Sequence, residues 1–305
     1  MITMESLAAI AGTVFAGVFL FSLFELAWLC LRKTADGRER TSFRHDFSQP
    51  LRNFSLVAVM STVLPVVGTA SFALLGSALA PYSFGTEWYV WIIALFIYEF
   101  WYWLHHFLSH KVRLLWCIHS PHHAPDTINM VVGYNHHLLE VPYMSFFLGF
   151  MPALCGLPVE FIILINIFDG MWGSMLHASP KIISRRYGPL EYFMQTPSFH
   201  RAHHAQNPRY MDTNYNATTQ FWDWVMGTRQ VLHDDEPVQY GITRDVDVES
   251  WRDVQFGEFS TLFSDVKGAP GLSNKLRYLL MPPGWSHTGD HKMASTQKAA
   301  LLESV

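Results

Sequence analysis

Five apolar runs restrict what this chain can become. Leu7 to Leu31 ("LAAIAGTVFAGVFLFSLFELAWLCL") comes first, followed by Phe54 to about Ala80, Trp88 to Leu104, about 138–155 and about 157–176. A bilayer is crossed by roughly 20 apolar residues, and backbone in lipid must satisfy its own hydrogen bonds, so such runs read as helices. Composition agrees, since only 15% of the residues are charged, against about a quarter in an ordinary soluble domain. The expected fold is an all-α integral membrane protein with four to five transmembrane or re-entrant helices. The last two runs, joined by the turn signal "CGLP", form either two spans or a re-entrant hairpin. No basic residue precedes Leu7 and no small-residue cleavage site follows the run, which therefore reads as a retained helix. Glu25 inside it is costly in lipid unless neutral, paired or near the interface.

Basic residues set an orientation. Arg32, Lys33, Arg38, Arg40, Arg44 and Arg52 crowd segment 32–53, whereas the connections near 81–87 and 155–158 carry none. Placing 32–53 in the cytoplasm and counting five crossings puts all 21 Lys and Arg on one side. The third and fifth runs then end on that same cytoplasmic face.

Those ends carry the histidines. Twelve of the sixteen lie between His105 and His204. His106 and His110 are four apart, on one face of a helix. His105 to His110 is also possible if the helix is distorted. In "HSPHH", His119 and His122 are three apart and share a face, while His123 points about 100° round, toward a second ion. "HRAHH" repeats the pattern with His200, His203 and His204, and between the copies stand His136, His137 and His177. One ion takes roughly four to six ligands, so this many imidazoles implies two ions, with iron, zinc or copper suited to neutral imidazole. His45, His233, His287 and His291 stand outside any such spacing and read as ordinary histidines. Cys30, Cys117 and Cys155 form no C-x-x-C pair, giving neither a disulfide framework nor a zinc finger. A net charge of −4 gives no reason to expect a nucleic-acid partner.

From Tyr98 to Thr228 the chain resembles the fatty acid hydroxylase superfamily, also called the sterol desaturase family. "WYWLHHFLSH", "LLWCIHSPHHAPDTIN", "LHAS", "YGPLEYFMQTPSFHRAHH" and "DTNYNATTQFWDWVMGT" carry the resemblance, and the last two are closer to the alkylglycerol monooxygenase branch and its bacterial relatives. The resemblance implies a di-iron centre held by His106, His110, His119, His122, His123, His137, His177, His200, His203 and His204. The doubled histidine leaves His105 as an alternative to His106, and Asn135 stands where many members have arginine before the His137 position. It also implies O2 as co-substrate, a membrane lipid such as a sterol, acyl chain or ether lipid as substrate, and an external cytoplasmic electron donor. Hydroxylation and desaturation share the first hydrogen abstraction and are not separated by these motifs. On resemblance, a bacterial inner membrane is favoured over endoplasmic reticulum.

Metal-bound histidines usually donate their other N–H to a carboxylate or carbonyl. Candidates for that role are Asp223, Glu191, Glu140, Asn129 and Asn214, with Asp126 and Asp212 read as loop residues. Trp101, Tyr102, Trp103 and Trp116 fit headgroup depth, or else the wall of a substrate tunnel. The expected organisation is N-terminal transmembrane helices over 1–97, a catalytic domain over 98–230 and a cytoplasmic extension over 231–305, with a cytoplasmic helical cap holding the histidine-ligated dimetal site. In that extension "MPPGW" reads as a turn and the last residues as a loose tail. A metal-binding transporter or sensor is the competing class. It calls for polar residues strung through several spans, and the first two runs carry only Glu25 as a charge. A catalytically dead scaffold is a third reading, weakened by a complete ligand set.

Overall fold

The structure is a computed structural model that describes residues 4–31 and 65–303. The basic segment 32–53 with Arg32, Lys33, Arg38, Arg40, Arg44 and Arg52, and the start of the second apolar run, lie outside the described residues. Helices α1 (Met4–Leu31), α2 (Pro65–Leu79), α3 (Trp88–Lys111) and α7 (Val159–Leu176) form the apolar body. Two stretches, Gly12–Leu29 and Val159–Leu176, are long and apolar enough to cross a membrane by length and composition.

The body packs where apolar residues recur one helical turn apart. Val90, Ala94 and Tyr98 of α3 meet Ala73 of α2 and Phe161, Ile162 and Ile165 of α7 in one core. Large exposed side chains such as Leu20, Phe24, Leu74, Leu75 and Trp88 cover its outside, the reverse of a soluble surface. Small residues allow the closest crossing: a Cβ on Gly149 would collide with the Thr69 carbonyl, and one on Gly76 with the Phe150 carbonyl.

The run at 138–155 folds into α5 (Glu140–Ser145), a π-helical turn (Phe146–Phe150) and α6 (Met151–Leu154). At 1.5 Å per residue it extends only about 22 Å, short of the roughly 30 Å hydrocarbon core. It turns back through Gly156, whose φ of 88° suits glycine, into α7. A helical hairpin results, whose second arm, α7, is itself long and apolar enough to cross a membrane.

Helix α4 (Arg113–His123) follows α3 after one extended residue, Val112. This break turns the chain so that the histidines of both helices face one another. Further helices are α8 (Pro197–His203), α9 (Phe221–Val225), α10 (Trp251–Gly268), α11 (Gly271–Leu280) and α12 (Ala294–Glu303). Two isolated bridges, Met194–Thr219 and Ala205–Tyr240, are the β pairing found, and no strand is present among the described residues.

Helices α10 and α11 cover α4 through a core of Cys117, Leu262, Ala269, Tyr278 and Trp285. The Arg113 guanidinium bonds Asp265 at 2.6 Å and lies over the Tyr278 ring. The C-terminal end departs from the loose tail expected. Its residues 294–303 form α12, and Ala294 and Gln297 line a cavity next to the histidines. The "MPPGW" turn is present, closed by Trp285 N–H donating to the Pro282 carbonyl.

Candidate metal centre

Four helix ends meet at one end of the body: the C-terminus of α3, α4, the C-terminus of α7 and α8. Nine of the ten candidate histidines gather there in two groups. His106, His110, His119, His123 and His203 form the first; His122, His177, His200 and His204 form the second. Within each group the ring nitrogens lie within 4.8 Å of one another. The groups adjoin, with His123 stacked on His204 at 4.3 Å between ring centroids.

Helical geometry explains the split. Residues four apart are about 40° apart around a helix, while residues three apart differ by about 60° in the opposite sense. His119 and His123 therefore share a group, and His122 falls in the other. His200 and His204 likewise pair, and His203 crosses to the first group. This corrects the sequence reading, which paired His119 with His122 across the i, i+3 spacing.

Tautomers follow from the hydrogen bonds. His106 Nδ1 lies 2.7 Å from the Tyr215 carbonyl, His203 Nδ1 2.7 Å from the Thr213 carbonyl, and His177 Nδ1 2.7 Å from the Gly173 carbonyl. His119 Nδ1 lies 2.7 Å from Glu140 Oε1. Oxygen acceptors require Nδ1 to carry the proton, which leaves Nε2 with a free lone pair. In the first group all five Nε2 atoms are buried with no partner. In the second, the Nε2 atoms face one another at 2.9–3.1 Å. A tetrahedral ion with metal–nitrogen bonds of 2.0–2.1 Å would space them about 3.3 Å apart. Buried polar atoms normally have partners, so five unpartnered Nε2 atoms around one point and four mutually facing ones around the other fit two metal ions. Burial pushes His110 down to about 4 and His177 to about 3, so both rings are neutral at neutral pH.

Glu140 sits between the groups. It is buried, accepting from His119 and, at 2.8 Å, from His136 Nδ1. Burial alone would raise its pKa, but His136 and His119 outweigh it and hold the carboxyl ionised well below the usual range. His136 also approaches the Gly133 carbonyl at 3.0 Å and stacks on His122 at 4.6 Å. Sequence reasoning left His136 without a role, though its i, i+4 spacing to Glu140 was a usable signal. Asp212 was read as a loop residue. It is one, with φ of 55°, yet its carboxylate bonds Lys111 and faces His110 Nδ1 at 3.6 Å.

Asp223 accepts from Tyr215 N–H and Asn216 N–H at 2.8 Å each and from Thr228 Oγ1 at 2.6 Å, so it shapes the loop whose carbonyl meets His106. Asn214 holds the same loop through the Phe199 and Gln230 carbonyls. Glu191 accepts from Thr196 Oγ1 and Ser198 Oγ and braces the start of α8. Asn129 accepts from Val131 N–H in a turn and bonds no imidazole among the described residues.

His137 and His105 are not in either group. His137 Nδ1 accepts from Leu139 N–H at 3.1 Å, and its ring packs against Phe256 and Phe259 of α10. His105 lies against Tyr143 and Phe147, with both ring nitrogens buried and unpartnered. Of the doubled histidine, His106 is the one that converges with the rest.

Two cavities reach the centre. One, of about 140 Å³, runs between α2, α3 and α7 to His106, His122, His177 and His200. Tyr102 lines it. The other, of about 80 Å³, touches His110, His123 and His203 beneath the C-terminal segment. Trp116 lines that one and packs against both His110 and His123. Trp103 donates to Thr228 Oγ1, and Trp101 packs on Phe100 and Phe147.

Residues 91–228 match the family model for fatty acid hydroxylases, as the motif resemblance implied. Alkylglycerol monooxygenase of Xenopus tropicalis is 30% identical over 66% of this chain, and that of Homo sapiens is 27% identical over 65%. Ornithine lipid hydroxylase of Rhizobium tropici is 28% identical over 45% of this chain. The aligned chain spans 43%, 43% and 40% of those relatives' lengths, in the same order. No solved structure matches the chain.

Proposed function

We propose, for a chain whose residues 91–228 match the fatty acid hydroxylases, an O2-dependent oxidoreductase that hydroxylates a C–H bond of a membrane lipid. One observation carries this reading: nine buried imidazoles from distant parts of the chain converge on two adjoining points, five with unpartnered Nε2 atoms and four whose Nε2 atoms face one another. The first point is held by His106, His110, His119, His123 and His203, and the second by His122, His177, His200 and His204. Two iron ions bound there supply the O2 chemistry that breaks an unactivated C–H bond. The relatives' names, monooxygenase and lipid hydroxylase, favour hydroxylation over desaturation.

The chain's own residues do the rest. Glu140 and the carbonyls of Tyr215, Thr213 and Gly173 hold the N–H edge of four imidazoles, which keeps each Nε2 turned inward. The cavity between α2, α3 and α7 opens from the apolar body and admits a lipid chain. Helices α10, α11 and α12 cover the opposite side, where the smaller cavity gives polar reactants and an external electron donor their approach. The chain sits in a membrane through α1 and the helical body, with the histidines at its cytoplasmic edge.

Metal analysis of purified protein, with His122→Ala and His203→Ala beside wild type, tests the proposal. Wild type is expected to hold about two irons per chain, since one ion takes about four ligands. Each variant is expected to lose iron together with O2-dependent lipid oxidation. Wild-type protein without metal after purification under reducing, iron-replete conditions overturns it.

A further inference from the structure

Two helices of the C-terminal extension turn apolar side chains away from the protein. Helix α10 packs inward through Val254, Gln255, Glu258 and Leu262, and α11 through Tyr278. The opposite face of α10 carries Arg252, Phe256, Phe263 and Lys267, which lie within about 60° of one another around the axis. The opposite face of α11 carries Leu272, Leu276 and Leu280, spaced four apart. All seven side chains are exposed, Phe263 at 71% and Leu272 at 73%. The outer face of a helix in a water-soluble cap is ordinarily polar or charged. Here phenylalanine and leucine fill it, and the charges stand at its margins. Those charges are basic: Arg252 and Lys267 on α10, Lys275 and Arg277 on α11, which has no acidic residue. Large apolar side chains beside basic ones are what a helix lying in a membrane interface presents.

The stripe is also continuous with the apolar body. The His137 ring packs on Phe256. The next two residues, Leu138 and Leu139, are exposed and lead into α5, the first arm of the hairpin. No residue of α10 or α11 lines the smaller cavity, so a surface against this pair leaves that mouth open.

We infer that the outer face of α10 and α11 docks on an anionic membrane surface, with its phenylalanine and leucine side chains at the depth where headgroups meet acyl chains. A second copy of the chain meeting this stripe face to face would set Lys267, Lys275 and Arg277 against their own kind, whereas an anionic leaflet attracts each of them. Both helices pack on α4, which carries His119, His122 and His123. Docking therefore holds the histidine end of the molecule at the lipid boundary from a segment outside the matched residues 91–228. The inference rests on the chain sitting in a membrane and adds a second attachment to it.

The test is photo-cross-linking of the full chain in nanodiscs of POPC mixed with anionic POPG, with adducts read by intact mass. The cross-linker p-benzoylphenylalanine is placed singly at Phe263, Leu276, Phe24 or Asp235. Phe24 is exposed on α1 and reports the membrane body, and Asp235 is exposed outside both C-terminal helices. Phe263 and Leu276 are expected to give lipid adducts in the same yield as Phe24, and Asp235 none. Charge reversal by Lys267→Glu with Arg277→Glu is expected to lower the Leu276 yield about fivefold and to leave the Phe24 yield unchanged. Cross-links between two chains at Phe263 or Leu276 overturn the inference. So does an absence of lipid adduct at both beside a normal yield at Phe24, or a charge-reversed chain with an undiminished Leu276 yield. Each of these leaves the membrane body standing, whereas no adduct at Phe24 removes the membrane reading and the inference with it.

Discussion

Glu140 is the residue whose replacement separates orientation of the ligands from ligation itself. It is 1% exposed, and both carboxylate oxygens are used, toward His119 Nδ1 at 2.7 Å and His136 Nδ1 at 2.8 Å. Glu140→Ala leaves the His119 N–H without an acceptor, so the ring loses both its orientation and its tautomer preference. Such losses typically weaken metal binding 10- to 100-fold, or about 1.4–2.7 kcal/mol. Glu140→Gln should be milder. The amide oxygen can still accept from His119, while the amide nitrogen donates to His136 Nδ1. His136 then carries its proton on Nε2, where the Gly133 carbonyl at 3.0 Å receives it. The expected order is Ala about 100-fold weaker and Gln about tenfold weaker. The loss falls on one of the two ions, because His119 belongs to the five-histidine group alone. Competition with chelators of graded strength, read by metal stoichiometry, measures it. Wild-type affinity for both ions in Glu140→Ala, or a Gln variant weaker than Ala, would refute the reasoning.

The doubled histidine gives a second comparison: His106→Phe should cost bound metal, while His105→Phe should leave the stoichiometry unchanged, and the reverse pattern would reassign the ligand. Acid should destabilise the metal-free protein in a defined window. Burial holds His110 at about 4 and His177 at about 3 in the folded state, against about 6.5 when unfolded. Between those values the unfolded chain binds more protons, so stability rises with pH there. It should be complete above about pH 7 and fall by a few kcal/mol per ring as the pH drops from about 6.5 toward 4. A thermal midpoint that stays level or rises between pH 6.5 and 5 in metal-free protein would contradict this.

The helix faces and the two repeated histidine patterns were legible because residue spacing on a helix is fixed by geometry. The internal assignment of each H-x-x-H-H was not. His119 with His122 and His119 with His123 are both near neighbours on a helix, and only the direction from which His177 and His110 approach decides between them. His137 was drawn in by the family resemblance, yet the chain turns at Val132–Tyr134 and sends it toward α10. Asp212 and Glu99 were invisible for a different reason. Their partners, His110 and the 216–219 loop, come from more than a hundred residues away in the chain.

That distance shows how an irregular loop can orient clustered imidazoles. Residues 213–218 have no helix or strand, yet all are buried. A buried irregular backbone needs partners for its polar groups. Two carboxylates from different elements provide them. Glu99, on α3, accepts from Thr218 N–H at 2.8 Å and from Thr219 N–H at 3.0 Å. Asp223, on α9, accepts from Tyr215 N–H and Asn216 N–H. With its N–H groups pinned on both sides, the loop can turn the Thr213 and Tyr215 carbonyls toward His203 and His106. Glu99 lies two turns before His106 on the same helix, so α3 carries one of the imidazoles and also anchors the loop that orients it. The registry between ligand and acceptor is thus set within a single rigid element, which explains why a membrane-body helix bears a buried carboxylate at this position.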